Sequence, residues 1–435
     1  MSNTPVEYKL NQGQQAAADG FFEFLFDTNN ELIISGPGGV GKTYLMGYLI
    51  DQIMPRYEQT CQLLGIKPQY TAVMMTATTN KAAEVLGVQT GRHTETIHQF
   101  LRLVVKDNYA TGESTLQKRA DWTIHKNVIL FVDEASMMDR QLLQLLRDST
   151  LNCKIIFVSD HCQLAPVKET ISPIYNQRLP FYELTEPMRN NGQPALMDLC
   201  NQLRKTVETE KFYPISTVPG VVDHMTSEEV EQFIIDNFKD VDTQNRILTY
   251  TNKKVTDYNS YIRQLREYHH PYVIGETLIN NSAVQMPKGM LSVEEEVMIA
   301  HLAEENTFIE IEKGIDLEVV AATLVTPYQE SFTNMYLPVD KNHYTALVKH
   351  YQKTKNWNRY FYLKNQFADL RPRDAQTVHK SQGSTYDTVV IDLNNLSTCH
   401  QPGLAARLLY VAVSRAKHRV IFFGRLAEKY GGILV

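Results

Sequence analysis

The run Leu32-Ile33-Ile34-Ser35-Gly36-Pro37-Gly38-Gly39-Val40-Gly41-Lys42-Thr43 feeds an apolar strand into Gly-x-x-x-x-Gly-Lys-Thr, and no other segment constrains the fold of this chain as strongly. Glycines let the loop curl until successive backbone N–H groups point inward, and a helix opening near Gly41 adds the positive end of its dipole at the same spot. Such a loop holds the phosphates of ATP or GTP, with Gly36, Pro37, Gly38, Gly39, Val40 and Gly41 as its cradle. Lys42 is expected to reach the β/γ-phosphates and Thr43 to offer its hydroxyl to Mg²⁺.

The rest of the chain is patterned to match. From residue 32 to about 160, short apolar strands (Leu32–Ser35, Ala72–Thr76, Val128–Val132, Ile155–Ser159) alternate with amphipathic helices, which predicts a doubly wound α/β domain on a parallel sheet. The helix after the loop carries Tyr44, Leu45, Tyr48, Leu49 and Ile53 and is expected to stop at Pro55. Residues 101–118 change to two β-prone runs around Thr111-Gly112, a hairpin inserted in the first domain. A second α/β region takes in Arg246–Tyr250, the helix after Asn252, Val389–Leu393 and Val420–Phe423. Between about 270 and 370, runs such as Thr307–Ile311 and Glu318–Leu324 predict a small, mostly β insert.

Bulk properties exclude several classes. The 435 residues are too many for one core, and no apolar run approaches the ~18 residues of a membrane span. The first residues show neither a basic start nor an apolar stretch, so no secretory signal is expected. Five scattered cysteines without a C-x-x-C pair fit free thiols in a cytoplasm and argue against metal binding by cysteine. A net charge of −6 argues against a broad basic surface, yet leaves room for a narrow channel where a few lysines and aromatic faces grip one strand.

Two further strand ends carry chemistry. Ile129-Leu130-Phe131-Val132-Asp133-Glu134 places two carboxylates at the edge of the predicted sheet, Asp133 to hold Mg²⁺ through water and Glu134 to orient and deprotonate the attacking water. Ile155 through Gln163 gives another such end, where the Gln163 amide can hydrogen-bond a γ-phosphate. Phosphoryl transfer also needs positive charge on the migrating group, which Arg189 and Arg415 could bring from a second domain.

Leu184–Asn190, Thr377–Ser384 and Leu409–Ala416, together with the segments above, resemble in order and spacing the superfamily-one helicases of the RecD and Dda type, closest to the Dda helicases of tailed phages. The resemblance implies two RecA-like P-loop domains: residues 1–180 with a pin hairpin at 99–121, then 181–270 and 371–435, with an SH3-like insert at 271–370. It implies that Gln14 reads the adenine of ATP, that Gln163 senses the γ-phosphate, and that Arg189 and Arg415 are arginine fingers. It places single-stranded DNA on Thr79, Asn80, Thr96 and His98 of the first domain and on Asn252, His379, Lys380 and Ser381 of the second. Gly383 lies on the nucleotide side of that last segment, and Tyr109 is read as the pin tip. The chain departs from the family pattern at Thr78 (commonly Pro), Ser159 (Gly), Ala165 (Pro) and Ser414 (Thr).

The implied activity is ATP- and Mg²⁺-dependent 5′-to-3′ DNA unwinding by a cytoplasmic monomer acting on single-stranded and forked DNA. Single-stranded-DNA-binding, replication or recombination proteins are candidate partners. Three other readings stay open from the residues alone: a translocase or remodeller that does not separate strands, an RNA-directed helicase, and a small-molecule P-loop kinase.

Overall fold

The structure, a computed structural model, describes residues 8–166, 169, 171–186, 193–240, 244–286, 289–327 and 330–434. It contains two compact units: Met1–Val104, Lys118–Phe212 and Gln401–Ser414 form the first, and Val105–Gln117, Tyr213–His400 and Arg415–Val435 the second.

The first unit is built on a six-stranded parallel sheet in the order Phe181–Glu183, Glu31–Ser35, Lys154–Ser159, Val128–Asp133, Ala72–Ala77, Thr94–Thr96. Helices cover its strands, so Glu31–Ser35 and Lys154–Ser159 are buried at every residue, as parallel strands packed on both faces require. Phe21 and Ala17 of the helix Gln12–Phe24 meet Leu32, Ile34, Leu45, Phe131, Ile156 and Val158 in its core.

The helix after the phosphate loop does not end at Pro55. Lys42–Tyr48 passes through a π-helical turn, Leu49–Ile53, into the helix Met54–Leu63, with Pro55 in that helix's first turn. The wider turn shifts the hydrogen-bond register where proline lacks a donor, and burial of Leu49, Ile53, Met54, Tyr57 and Cys61 holds the continuation in place.

In the second unit a five-stranded parallel sheet runs Val222–Met225, Ala416–Phe423, Tyr386–Asp392, Asn245–Thr249, Ala375–Thr377. An antiparallel sheet follows the order Thr307–Glu312, Ile315–Val325, Glu296–Leu302, Thr277–Asn280, Leu370–Pro372, and Ser331–Pro338 also pairs with Ile315–Val325. The expectation of a mostly β insert needs correcting at its end, where Lys341–Lys353 and Trp357–Gln366 are helices capped by Asp340 and Asn356. Leu347 and Tyr351, four apart on the first helix, and Leu363 of the second, with Phe367 just past its end, bury against Ile311, Leu317 and Val319.

Leu103–Asp107 and Ser114–Lys118 do form a hairpin, closed by Gly112 N–H on Asn108 O with Gly112 at φ 77°. The units differ from the sequence-based division in three respects. The hairpin's residues 105–117 group with the second unit, the first unit runs on to Phe212, and the helix Pro402–Ser414 belongs to the first unit.

Candidate nucleotide and nucleic-acid site

At the carboxyl end of Glu31–Ser35, Gly39 and Gly41 adopt φ 86° and 78°, the left-handed conformations that let the loop turn back over the first turn of Lys42–Tyr48. A side chain at Gly36 would lie 2.5 Å from Leu184 O, so this glycine is needed for close approach. Lys42 Nζ donates to Gly36 O at 2.7 Å and Pro37 O at 3.0 Å, which curls the ammonium into the loop. Gln14 is fully buried; its amide accepts from Asn11 N–H and donates to Val40 O at 3.1 Å, tying the first helix to the loop.

Asp133 and Glu134 lie two strands from the loop in the same sheet, across Lys154–Ser159. Burial, reinforced by Glu134 beside it and opposed by Lys42, pushes the Asp133 carboxyl far above the usual range, to about 7. Glu134 has φ 51° and ψ 36°, a left-handed conformation unusual for a residue with a side chain. Thr78 holds this strained corner: its N–H donates to Asp133 O at 3.2 Å and its hydroxyl to Glu134 O at 3.0 Å.

The loop after Lys154–Ser159 is tied down by a network that the sequence did not reveal. Asp160, fully buried, accepts from Arg204 Nη1 at 2.6 Å and Tyr410 Oη at 2.5 Å, and Arg204 also donates to Glu183 at 2.6 Å. Arg407 Nη1 donates to His161 O at 2.7 Å and Gln163 O at 2.6 Å. Burial and the adjoining Asp160 carboxylate push the Tyr410 phenol up, so it remains a donor. Tyr410 stands inside the segment Leu409–Ala416 singled out above, but nothing local to it names Asp160 as its partner. Among the described residues no donor meets the buried Gln163 Oε1, an acceptor suited to a water or ligand hydrogen.

In the second unit, Arg415 is 5% exposed and its Nη1 donates to Ser384 O at 3.3 Å, next to Gly383 at φ 78°. Arg189 lies outside the described residues.

The residues read as DNA contacts fall into three groups. Asn80, Tyr109 and Asn252 are exposed, while Thr79, His98, His379 and Lys380 are half-buried, and burial lowers the basicity of both histidines and of Lys380. Thr96 and Ser381 are buried, with their hydroxyls engaged locally by Gln99 and Val378 O. Lys380 also reaches the Asn281 side chain. The hairpin tip leans on the helix Trp357–Gln366: the Tyr109 ring meets Phe361 edge-on at 5.1 Å, Asn365 donates to Asp107 at 2.8 Å, and a side chain at Gly112 would strike the Trp357 ring.

The AAA domain family matches residues 9–216, and the UvrD-like helicase C-terminal domain family matches 374–423. The ATP-dependent DNA helicase Dda of Enterobacteria phage T4 is 25% identical across 95% of this chain and 99% of its own. By these matches the chain is similar to the superfamily-one helicases of the Dda type. An uncharacterized protein of Acanthamoeba polyphaga mimivirus is 22% identical over 95% of this chain and 99% of its own. The Pif1 helicase of Bacteroides, solved with ADP-AlF3 and single-stranded DNA, matches in fold with TM-score 0.50 and 14% identity over 98% and 95% of the two chains.

Proposed function

We propose that this chain is an ATP-dependent DNA helicase that moves 5′ to 3′ along single-stranded DNA and separates the duplex ahead. Similarity to the ATP-dependent DNA helicase Dda supports the activity, and the direction is the one that the family resemblance of the motifs implies. Strand separation, over translocation alone, is carried by the braced hairpin: two strands projecting into water are marginal by themselves, and here aromatic and polar contacts stiffen the tip. A duplex pressed against such a tip meets resistance.

In this reading Lys42 and the loop N–H groups hold the β/γ-phosphates, and Glu134 takes the proton of the attacking water. Gln14, buried with its amide committed to Asn11 N–H and Val40 O, serves the adenine by fixing the first helix against the loop. Gln163 donates to the γ-phosphate through its amide nitrogen and accepts from the water at Oε1. Arg189 and Arg415 stabilise the charge that develops on the transferring group, and Gly383 lies near the nucleotide. The donor set fits Mg²⁺, since a desolvated Asp133 beside Glu134 calls for a cation and Thr43 adds a hydroxyl. When bound, the ion draws charge from the phosphate oxygens. Asn80, Thr79, His98, Asn252, His379 and Lys380 grip the strand, and Tyr109 meets the fork. Thr96 and Ser381 serve by shaping their segments, because their hydroxyls are already committed. Forked DNA and single-stranded DNA are the partners, with a monomer as the working form in the host cytoplasm.

The test is ATP-driven displacement of a labelled strand from duplexes with a 5′ or a 3′ single-stranded tail, under single-turnover conditions. Displacement with the 5′ tail alone is expected. DNA-stimulated ATP hydrolysis without displacement from either would reduce the activity to translocation or remodelling, and stimulation by RNA alone would reassign the substrate.

A further inference from the structure

Thr78 stands where the DNA-gripping surface and the catalytic carboxylates meet in one backbone. Strand Ala72–Ala77 pairs with Val128–Asp133, Ala77 lying opposite Asp133. One residue further, Thr78 catches two consecutive carbonyls, its N–H on Asp133 O and its Oγ1–H on Glu134 O. Thr79 then caps the helix Asn80–Thr90 through Ala82 N–H, and Asn80 opens that helix at the exposed surface. Glu134 O also accepts from Met137 N–H, so the left-handed corner at Glu134 is held from both sides. Thr78 itself is 9% exposed, which keeps its hydroxyl on Glu134 rather than on water. A proline here would have neither the N–H nor the hydroxyl.

We propose that Thr78 is a positioning residue through which occupancy of the DNA-binding surface at Thr79 and Asn80 sets the orientation of Glu134 for water activation. The proposal rests on the DNA-binding reading above. A strand drawing on Thr79 and Asn80 pulls on residue 78, and residue 78 is bonded to the backbone oxygen of the general base. Because Glu134 sits in a sparsely populated conformation, a small displacement of that bond changes where its carboxylate points.

The experiment compares ATP hydrolysis with and without an oligothymidylate in the unmodified protein, Thr78→Val and Thr78→Ser, with oligothymidylate affinity followed by fluorescence anisotropy. Valine keeps the shape and the N–H but loses the hydroxyl; serine restores it. Expected is a fall of about 5–10-fold in the ratio of stimulated to DNA-free rate for Thr78→Val, the worth of one net hydrogen bond, with DNA affinity unchanged and the ratio recovered in Thr78→Ser. Equal losses with and without DNA in Thr78→Val would make the residue merely structural and overturn the proposal. So would an unchanged ratio. An unmodified protein that binds no oligothymidylate would instead sink the DNA-binding reading, and this coupling with it.

Discussion

Ionising Asp133 is unfavourable, because burial at the strand end and the neighbouring Glu134 outweigh the attraction of Lys42. Its folded carboxyl therefore titrates above its unfolded one, near 7 against the usual 3.8. The folded state binds the extra proton between these values, so this residue's contribution to stability is present at low pH and is lost as pH rises through that window. Asp133→Asn should raise the melting temperature of the nucleotide-free protein by several degrees at pH 8, with little gain at pH 4, while ATP hydrolysis disappears. Differential scanning fluorimetry across pH checks the sign; a gain confined to low pH would refute it. At the nucleotide, Lys42→Ala should lose hydrolysis and unwinding together. Arg415→Ala should cut turnover by ~10³–10⁵ while a fluorescent ATP analogue still binds, and near-normal turnover would remove Arg415 from the mechanism.

At the scale of elements, the hairpin and the helix Trp357–Gln366 act as one part. Gly112→Ala would place a methyl group in the Trp357 ring and load a left-handed position, at a local cost of about 1–2 kcal/mol. Unwinding of a forked duplex should slow several-fold, while single-strand-stimulated hydrolysis, which does not use the tip, should hold. Equal losses in both would mean that the hairpin serves folding rather than the fork. This contact was hidden in the sequence because it joins residues some 250 positions apart, whereas the hairpin itself was legible from Thr111-Gly112 between two β-prone runs. The helix Lys341–Lys353 was missed because the β-prone runs at Thr307–Ile311 and Glu318–Leu324 set the reading for the whole insert, although Leu347 and Tyr351 already kept helical spacing. Pro55 misled for a related reason: a proline ends a helix unless packing and a π turn let it pass, and neither is written in the local residues.

For the whole molecule, the strand ends with their loop and carboxylates could be read in advance because each is a short run with its chemistry at one edge. The Asp160 network could not, since its members come from 160, 183, 204, 407 and 410. Arg204→Ala should cost about 3–5 kcal/mol in urea unfolding, because it strands a buried carboxylate. Tyr410→Phe, which removes a single bond, should cost about 1–2 kcal/mol. Similar small values for both would show that Arg204 is not needed as the counter-charge of Asp160.

The two units are interleaved: the chain passes from one to the other at 104/105, 117/118, 212/213, 400/401 and 414/415, five passages in all. No single break in the gene would separate one unit from the other, and a recombination event at any one point would carry fragments of both. Such a chain has to be inherited and varied as one piece, so new specificities are expected to arise by change within its loops and hairpin rather than by exchange of whole units.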